Sequence, residues 1–238
     1  MAKPLSRRCF LLLTGGALAA PSVLMTENGG LSLLDHILLG SPDLQGGIEF
    51  VEKHTGVRAS FGGVHPGRGT QNALLSLGER RYLEIIAPDP AQPGVKNPIA
   101  SNLQSLTEPR LIGWAAHPGS VSAFAEKLRA AGIKCEGPTP GSRKRPDGQL
   151  LKWQIVSLAD TASGILPFFI EWGQDSIHPS VDAPKGCALL GFSAESTDPE
   201  KLLATLKVLN LDLPVKKGEN SRLHALISGS KGTLDVYS

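Results

Sequence analysis

Three polar side chains in this sequence sit inside apolar strand-like segments. His36 lies in Leu33-Leu34-Asp35-His36-Ile37-Leu38, Glu84 in Tyr82-Leu83-Glu84-Ile85-Ile86, and Glu171 in Phe168-Phe169-Ile170-Glu171-Trp172. A buried carboxylate or imidazole needs a hydrogen-bond partner, a counter-charge or a metal. One His and two Glu on three separate strands could bind a divalent ion and leave positions open for water or substrate. Plainer readings stand beside this one. His36 could be a hydrogen-bonded core histidine, and Glu84 a surface-facing acid close to Arg80 and Arg81. For Glu171 a solvated face is hard to arrange in so apolar a segment. Period-two alternation puts Leu34, His36 and Leu38 on one strand face, with Asp35 and Ile37 on the other.

Two further stretches carry candidate chemistry. His65-Pro66-Gly67-Arg68-Gly69-Thr70 is a glycine-rich turn entering a strand. Its imidazole could project into a cleft as a fourth ligand or as a general acid/base, because an unperturbed pKa of about 6.5 suits proton transfer near neutrality; a surface loop histidine is the alternative. Thr70 and Asn72, two apart on one strand face, could bind substrate or pair across the sheet. Arg143 and Arg145 are also two apart, just before the turn Pro146-Asp147-Gly148. Arginine forks suit carboxylate or phosphate and point to an anionic substrate. A solvated basic hairpin tip with Lys144 is the other reading. The two-glycine turn lacks the full pattern and the following helix of a nucleotide site, and no Ser nucleophile elbow, phosphate loop, zinc-protease helix or paired-cysteine metal motif is present.

The elements that must position these residues repeat one grammar: a strand, a capped turn, an amphipathic helix, then three strands. The first unit has a strand at Leu33–Gly40, a turn Ser41-Pro42-Asp43 with Pro42 near the helix start, a helix to about His54 stopped by Gly56, and strands at Val57–Gly62, Asn72–Leu77 and Arg81–Ala87. The second has a strand at Leu111–Ala116, a helix from about Ser120 to Ala131 with Val121, Phe124, Ala125 and Leu128 as its stripe, and strands near Lys134–Pro138, Leu150–Leu158 and Leu166–Trp172. The third opens at Ala188–Ala194, caps a helix with Asp198-Pro199 and closes with strands at Pro214–Lys216, Leu223–Ser228 and Gly232–Tyr237. Pro88–Pro98 and Gly173–Lys185 read as linkers. The predicted fold is α+β: repeated β-α-β-β-β units forming curved mixed sheets around a cleft. Residues 31–175 form the paired domain, and residues 186–238 form a third C-terminal unit packed on it. The cleft can form within one chain or between two copies, which makes a homodimer a second way of building it.

The chain has 238 residues, with 24 Lys plus Arg against 22 Asp plus Glu. Lys3, Arg7 and Arg8 fall in the first eight positions, so the remainder is near-neutral, which argues against a nucleic-acid partner. Met1–Arg8 is basic and Phe10–Met25 apolar, and Ala17-Leu18-Ala19 supplies a small-residue cleavage site. This order matches an export signal over residues 1–25, cut after Ala19. The apolar run is shorter than the ~20 residues of a spanning helix, so no stable membrane span is expected after its removal. Ser6-Arg7-Arg8-Cys9-Phe10-Leu11 resembles the twin-arginine signal of bacteria, and an ordinary Sec signal is the alternative. A periplasmic or secreted protein is expected, in which Cys135 and Cys187 could pair or stay separate thiols.

Leu34-Asp35-His36-Ile37, Gly63–Asn72, Tyr82-Leu83-Glu84, Ser142–Gly148 followed by Leu151 and Trp153, and Phe169-Ile170-Glu171-Trp172 resemble the glyoxalase-like branch of the vicinal oxygen chelate superfamily. The resemblance covers about Leu33 to Trp172. It implies metal ligands on the first and last strands of each paired unit, carried by His36, Glu84 and Glu171. The metal would be Zn, Mn, Fe, Ni or Mg. The fourth position falls near Gly113-Trp114-Ala115, where no ligand stands, and this departure counts against glyoxalase I and extradiol dioxygenase activity. The resemblance therefore implies a metal-dependent lyase, isomerase or hydrolase acting on a small carbonyl compound, with His65 as the leading base. It also admits a binding module that sequesters a small molecule, as resistance proteins of this superfamily do; Arg143, Arg145, Trp114 and Trp153 would then line the cleft. A third reading keeps the fold without chemistry.

Overall fold

The computed structural model describes residues 31–95, 97–159 and 164–238, and the expected export segment lies outside them. Eight strands form one curled sheet. They are β1 (Leu34–Gly40), β2 (Ser60–His65), β3 (Thr70–Ser76), β4 (Tyr82–Pro88), β5 (Arg110–Ala116), β6 (Cys135–Lys144), β7 (Leu150–Leu158) and β8 (Phe168–Trp172), in the spatial order β2-β3-β4-β1-β5-β8-β7-β6. Each half is one unit of the predicted repeat, and the halves join through the antiparallel β1–β5 pair.

Helices α1 (Leu44–Thr55) and α3 (Val121–Ala130) form where the sequence supplies both a cap and a stripe. The Asp43 side chain accepts from the Gly46 N–H at 2.6 Å, and Gly56 closes α1 at φ 76°. In α3 the cap is Ser120 and the buried stripe is Val121, Ala125 and Leu128. A short helix, α2 (Pro98–Gln104), lies in the segment read as a linker. Asn97 and Pro98 start it, and seven residues are too few to show a period. Strand β6 extends to Lys144, well beyond the expected Pro138.

The sheet's convex side carries the core, with Ile37, Leu39, Leu83, Ile85, Val156 and Phe169 among its buried residues. The third unit repeats the same grammar: β9 (Ala188–Ser196), α4 (Pro199–Val208), β10 (Val215–Lys217), β11 (Arg222–Ser228) and β12 (Thr233–Tyr237), in the order β10-β9-β11-β12. It packs behind the curled sheet. Phe192 lies edge-on to Trp114 of β5 at 5.6 Å, and the Lys231 N–H donates to the last carbonyl of α1 at 3.0 Å. Cys135 and Cys187 are both free thiols. No described helix is long and apolar enough to cross a membrane.

Two local irregularities shape the concave side. In β1 the register against β5 slips between Leu34 and His36, so Asp35 is an extra residue in a bulge. Alternation had placed Asp35 on the face opposite His36. The bulge instead lets the two side chains meet, and Leu34 and Ile37 on either side of them both enter the core. At the other end, Gly62-Gly63 lets β2 approach β6. A Cβ at Gly63 (φ 140°) would lie 2.6 Å from the Lys144 carbonyl oxygen. The two edges of the sheet therefore close on each other, and one chain encloses the cleft.

Candidate functional site

The concave face encloses a chamber of about 210 Å³. That size suits a small ligand. Residues two apart on each strand line it: His36 and Leu38 from β1, Thr70 and Asn72 from β3, Tyr82, Glu84 and Ile86 from β4, Trp153 and Ile155 from β7, and Phe168, Ile170 and Trp172 from β8. His65 ends β2, and Arg143 comes from β6.

Glu84 is the centre of the polar wall. Its Oε1 accepts from the Asn72 amide at 2.6 Å and lies 3.8 Å from His65 Nε2, while its Oε2 is 3.4 Å from His36 Nε2. Burial pushes the carboxyl pKa up, but His36, His65, the Asn72 hydrogen bond and Arg143 outweigh it and hold Glu84 below its ordinary value. A Cβ at Gly62 would lie 2.5 Å from Asn72 Oδ1, so glycine is needed there for Asn72 to keep this pose. The His65 Nδ1 pairs with Thr70 Oγ1 at 2.9 Å. Burial lowers the His65 pKa, Glu84 pulls it back up in part, and Arg143 and Arg68 lower it further. His65 is accordingly neutral at pH 7 and able to accept a proton.

Behind His36 sits Asp35, fully buried and accepting three hydrogen bonds: from His36 Nδ1 at 2.7 Å, Trp172 Nε1 at 3.1 Å and His178 Nε2 at 3.2 Å. Burial alone would raise its pKa, but the bonds from His178 and His36 win and hold it well below the carboxylate range. The Asp35 bond keeps a proton on His36 Nδ1 and turns Nε2 toward Glu84. Tyr82 stacks on the His36 ring at 4.5 Å, and burial holds its hydroxyl protonated.

Several expected site residues are elsewhere. Glu171 does not join His36 and Glu84. It is one residue out of phase with Ile170 and Trp172, and its Oε2 accepts from the Val121 N–H at 2.9 Å, capping α3 on the convex side. Trp114 registers opposite Ile37, hence on the core face, and donates to the Ile165 carbonyl at 2.7 Å. Arg145 falls past the end of β6 and pairs with Asp182 and Asp147 outside the chamber. His36, Glu84, His65, Thr70, Asn72, Arg143 and Trp153 do come together. Asp35, Tyr82, Trp172 and His178 escaped the sequence reading. Tyr82 could have been found two residues before Glu84, whereas the bulge hid Asp35 and the linker hid His178.

The donor set does not fit the expected resident metal. Among the described residues no group of three or more His, Cys, Asp or Glu could hold an ion. The two histidines face different oxygens of Glu84, Asn72 occupies one of those oxygens, and the second unit contributes no donor.

The paired β-α-β-β-β units curled around one chamber define a vicinal oxygen chelate fold. A family model described as Glyoxalase-like domain matches residues 34–209, and the chain belongs to that family. A search of curated proteins gave no significant match. Among solved structures, a hypothetical protein from Staphylococcus aureus is similar in fold, with TM-score 0.57 and 16% identity over 86% of this chain and 83% of that one. Methylmalonyl-CoA epimerase from Mycobacterium tuberculosis matches at TM-score 0.44 and 22% identity, over 62% of this chain and 93% of its own. A Streptomyces coelicolor methylmalonyl-CoA epimerase in complex with 2-nitronate-propionyl-CoA gives 0.44 and 19%, over 59% and 96%.

Proposed function

We propose that this chain is an enzyme that moves a proton at the carbon beside a carbonyl group of a small substrate, by way of a lyase or isomerase reaction. One observation carries the reading: within one chamber the His65 ring, which burial favours in its neutral form, lies 3.8 Å from the Glu84 carboxylate. His65 Nε2 takes the proton from carbon, and the electron pair left behind delocalises onto the carbonyl oxygen as an enolate. The imidazolium then finds its counter-charge in Glu84 without reorganisation. Returning the proton isomerises the substrate; expelling a neighbouring leaving group completes a lyase step. Because only His36 and one Glu84 oxygen converge, the chemistry is assigned to the side chains and not to a bound metal. The basic-apolar-small order of residues 1–25 supports export of the protein from the cell.

The test is to incubate the mature chain with small carbonyl acids and their neutral amides in D2O and to follow loss of the α-proton signal by NMR. Exchange that Glu84→Gln and His65→Asn both abolish supports the reading; no exchange from any compound overturns it. Binding without turnover is the second reading, favoured by the apolar wall of Trp153, Phe168, Ile170 and Trp172. It predicts saturable binding and no exchange.

A further inference from the structure

Arg143 is 3% exposed, yet its side chain makes no ion pair and no hydrogen bond among the described residues. Its guanidinium nitrogens are not sealed in the core but open to the chamber, which marks a place where a ligand completes the wiring. Arg143 stands in the wall between the chamber and a shallow outer pocket that holds Arg145 and Asp182. The charge acting most strongly on it is Glu84, ahead of Arg145 and Asp182. The guanidinium therefore belongs electrically to the chamber. The Tyr82 hydroxyl, on the same chamber wall as Glu84, likewise makes no hydrogen bond among the described residues. The room for Arg143 is built in, because a Cβ at Gly63 would lie 3.1 Å from its Cγ and Cδ.

We propose that Arg143 is the anion subsite of the chamber and that the substrate is a small carboxylate, its planar head held by the guanidinium and the C–H carbon beside its carbonyl group turned to His65. A carboxylate fits better than a phosphate for two reasons. The guanidinium fork matches a planar two-oxygen head. Two cations in the lining, Arg143 and Arg68, against an ionised Glu84 leave one net positive charge, which balances a monocarboxylate and leaves a dianion poorly compensated. The proposal deepens the acid–base reading, on which it depends for the fate of the substrate though not for its binding.

The experiment is calorimetric titration of the mature chain with pyruvate and 2-oxobutyrate, with pyruvamide and inorganic phosphate as comparators. At least one oxo-acid is expected to bind about 10- to 100-fold tighter than pyruvamide and tighter than phosphate, the range of a charged hydrogen-bond pair. Arg143→Gln should remove that preference, Arg143→Lys should restore part of it, and Arg145→Gln should leave it unchanged. Pyruvamide binding as well as pyruvate, phosphate binding best, or no oxo-acid binding at all would each overturn the proposal, and these comparisons need only the parent protein. Arg143-dependent binding with no α-proton exchange would keep the subsite and remove the acid–base reading.

Discussion

Asp35→Asn is the perturbation whose size the structure fixes most closely. Asp35 has no exposed surface and accepts from three donors, His36 Nδ1, Trp172 Nε1 and His178 Nε2. An asparagine can accept only through Oδ1, so its amide N–H groups would face at least one of those donors. Removing one partner of a buried charged network costs about 3–5 kcal/mol. For a chain of this length that is a fall of about 6–20 °C in melting temperature. The pH dependence has a definite sign. The folded pKa of Asp35 lies below the ordinary value of about 3.9, so its contribution is complete above that value and is lost as pH falls through it toward the folded value. The gap between parent and D35N should therefore be full at pH 7 and shrink below about pH 4. Urea unfolding at both pH values, followed by tryptophan fluorescence, reads this difference, with Trp172 among the three reporters. A gap under about 1 kcal/mol at pH 7, or one that widens in acid, would refute the reasoning.

Other consequences are simpler to check. Glu171→Ala should lose about 0.5–2 kcal/mol in thermal melting, because a carboxylate leaves the start of α3, and it should not change ligand affinity. Gly62→Ala should destabilise by about 1–3 kcal/mol and lower α-proton exchange, since the new methyl meets Asn72 Oδ1 and the Leu74 side chain. If His65 is the base, the acid limb of the exchange rate should fall below the ordinary histidine value of about 6.5, because burial keeps the ring neutral to lower pH; a limb above that value would contradict the assignment.

The repeat grammar was legible because a capping side chain opens each unit's helix and glycine follows two of them, and all three units form where Asp43, Ser120 and Asp198 cap them. Alternation also put His36 on one face with Leu38, and Thr70 with Asn72, and in each pair both residues line the chamber. It failed where the backbone leaves the ideal pleat or where phase was ambiguous. Asp35 sits in a bulge that no residue type announces. Glu171 and Trp114 lie in strands apolar on both faces, so composition could not say which residues face the chamber. Arg145 was assigned to a strand that ends one residue earlier, at Lys144. The closure of β2 on β6 depends on contacts between residues about 80 apart in the chain, and only the folded sheet reveals that Gly63 makes them possible.

The central claim is that His65 and Glu84 move a proton without a bound metal. The most direct measurement is α-proton exchange in D2O by chelator-treated protein whose metal content has been assayed, beside Glu84→Gln. Exchange is expected to survive chelation at the untreated rate and to be lost in E84Q. Exchange that disappears on chelation and returns with added Zn, Mn, Fe, Ni or Mg would contradict that claim.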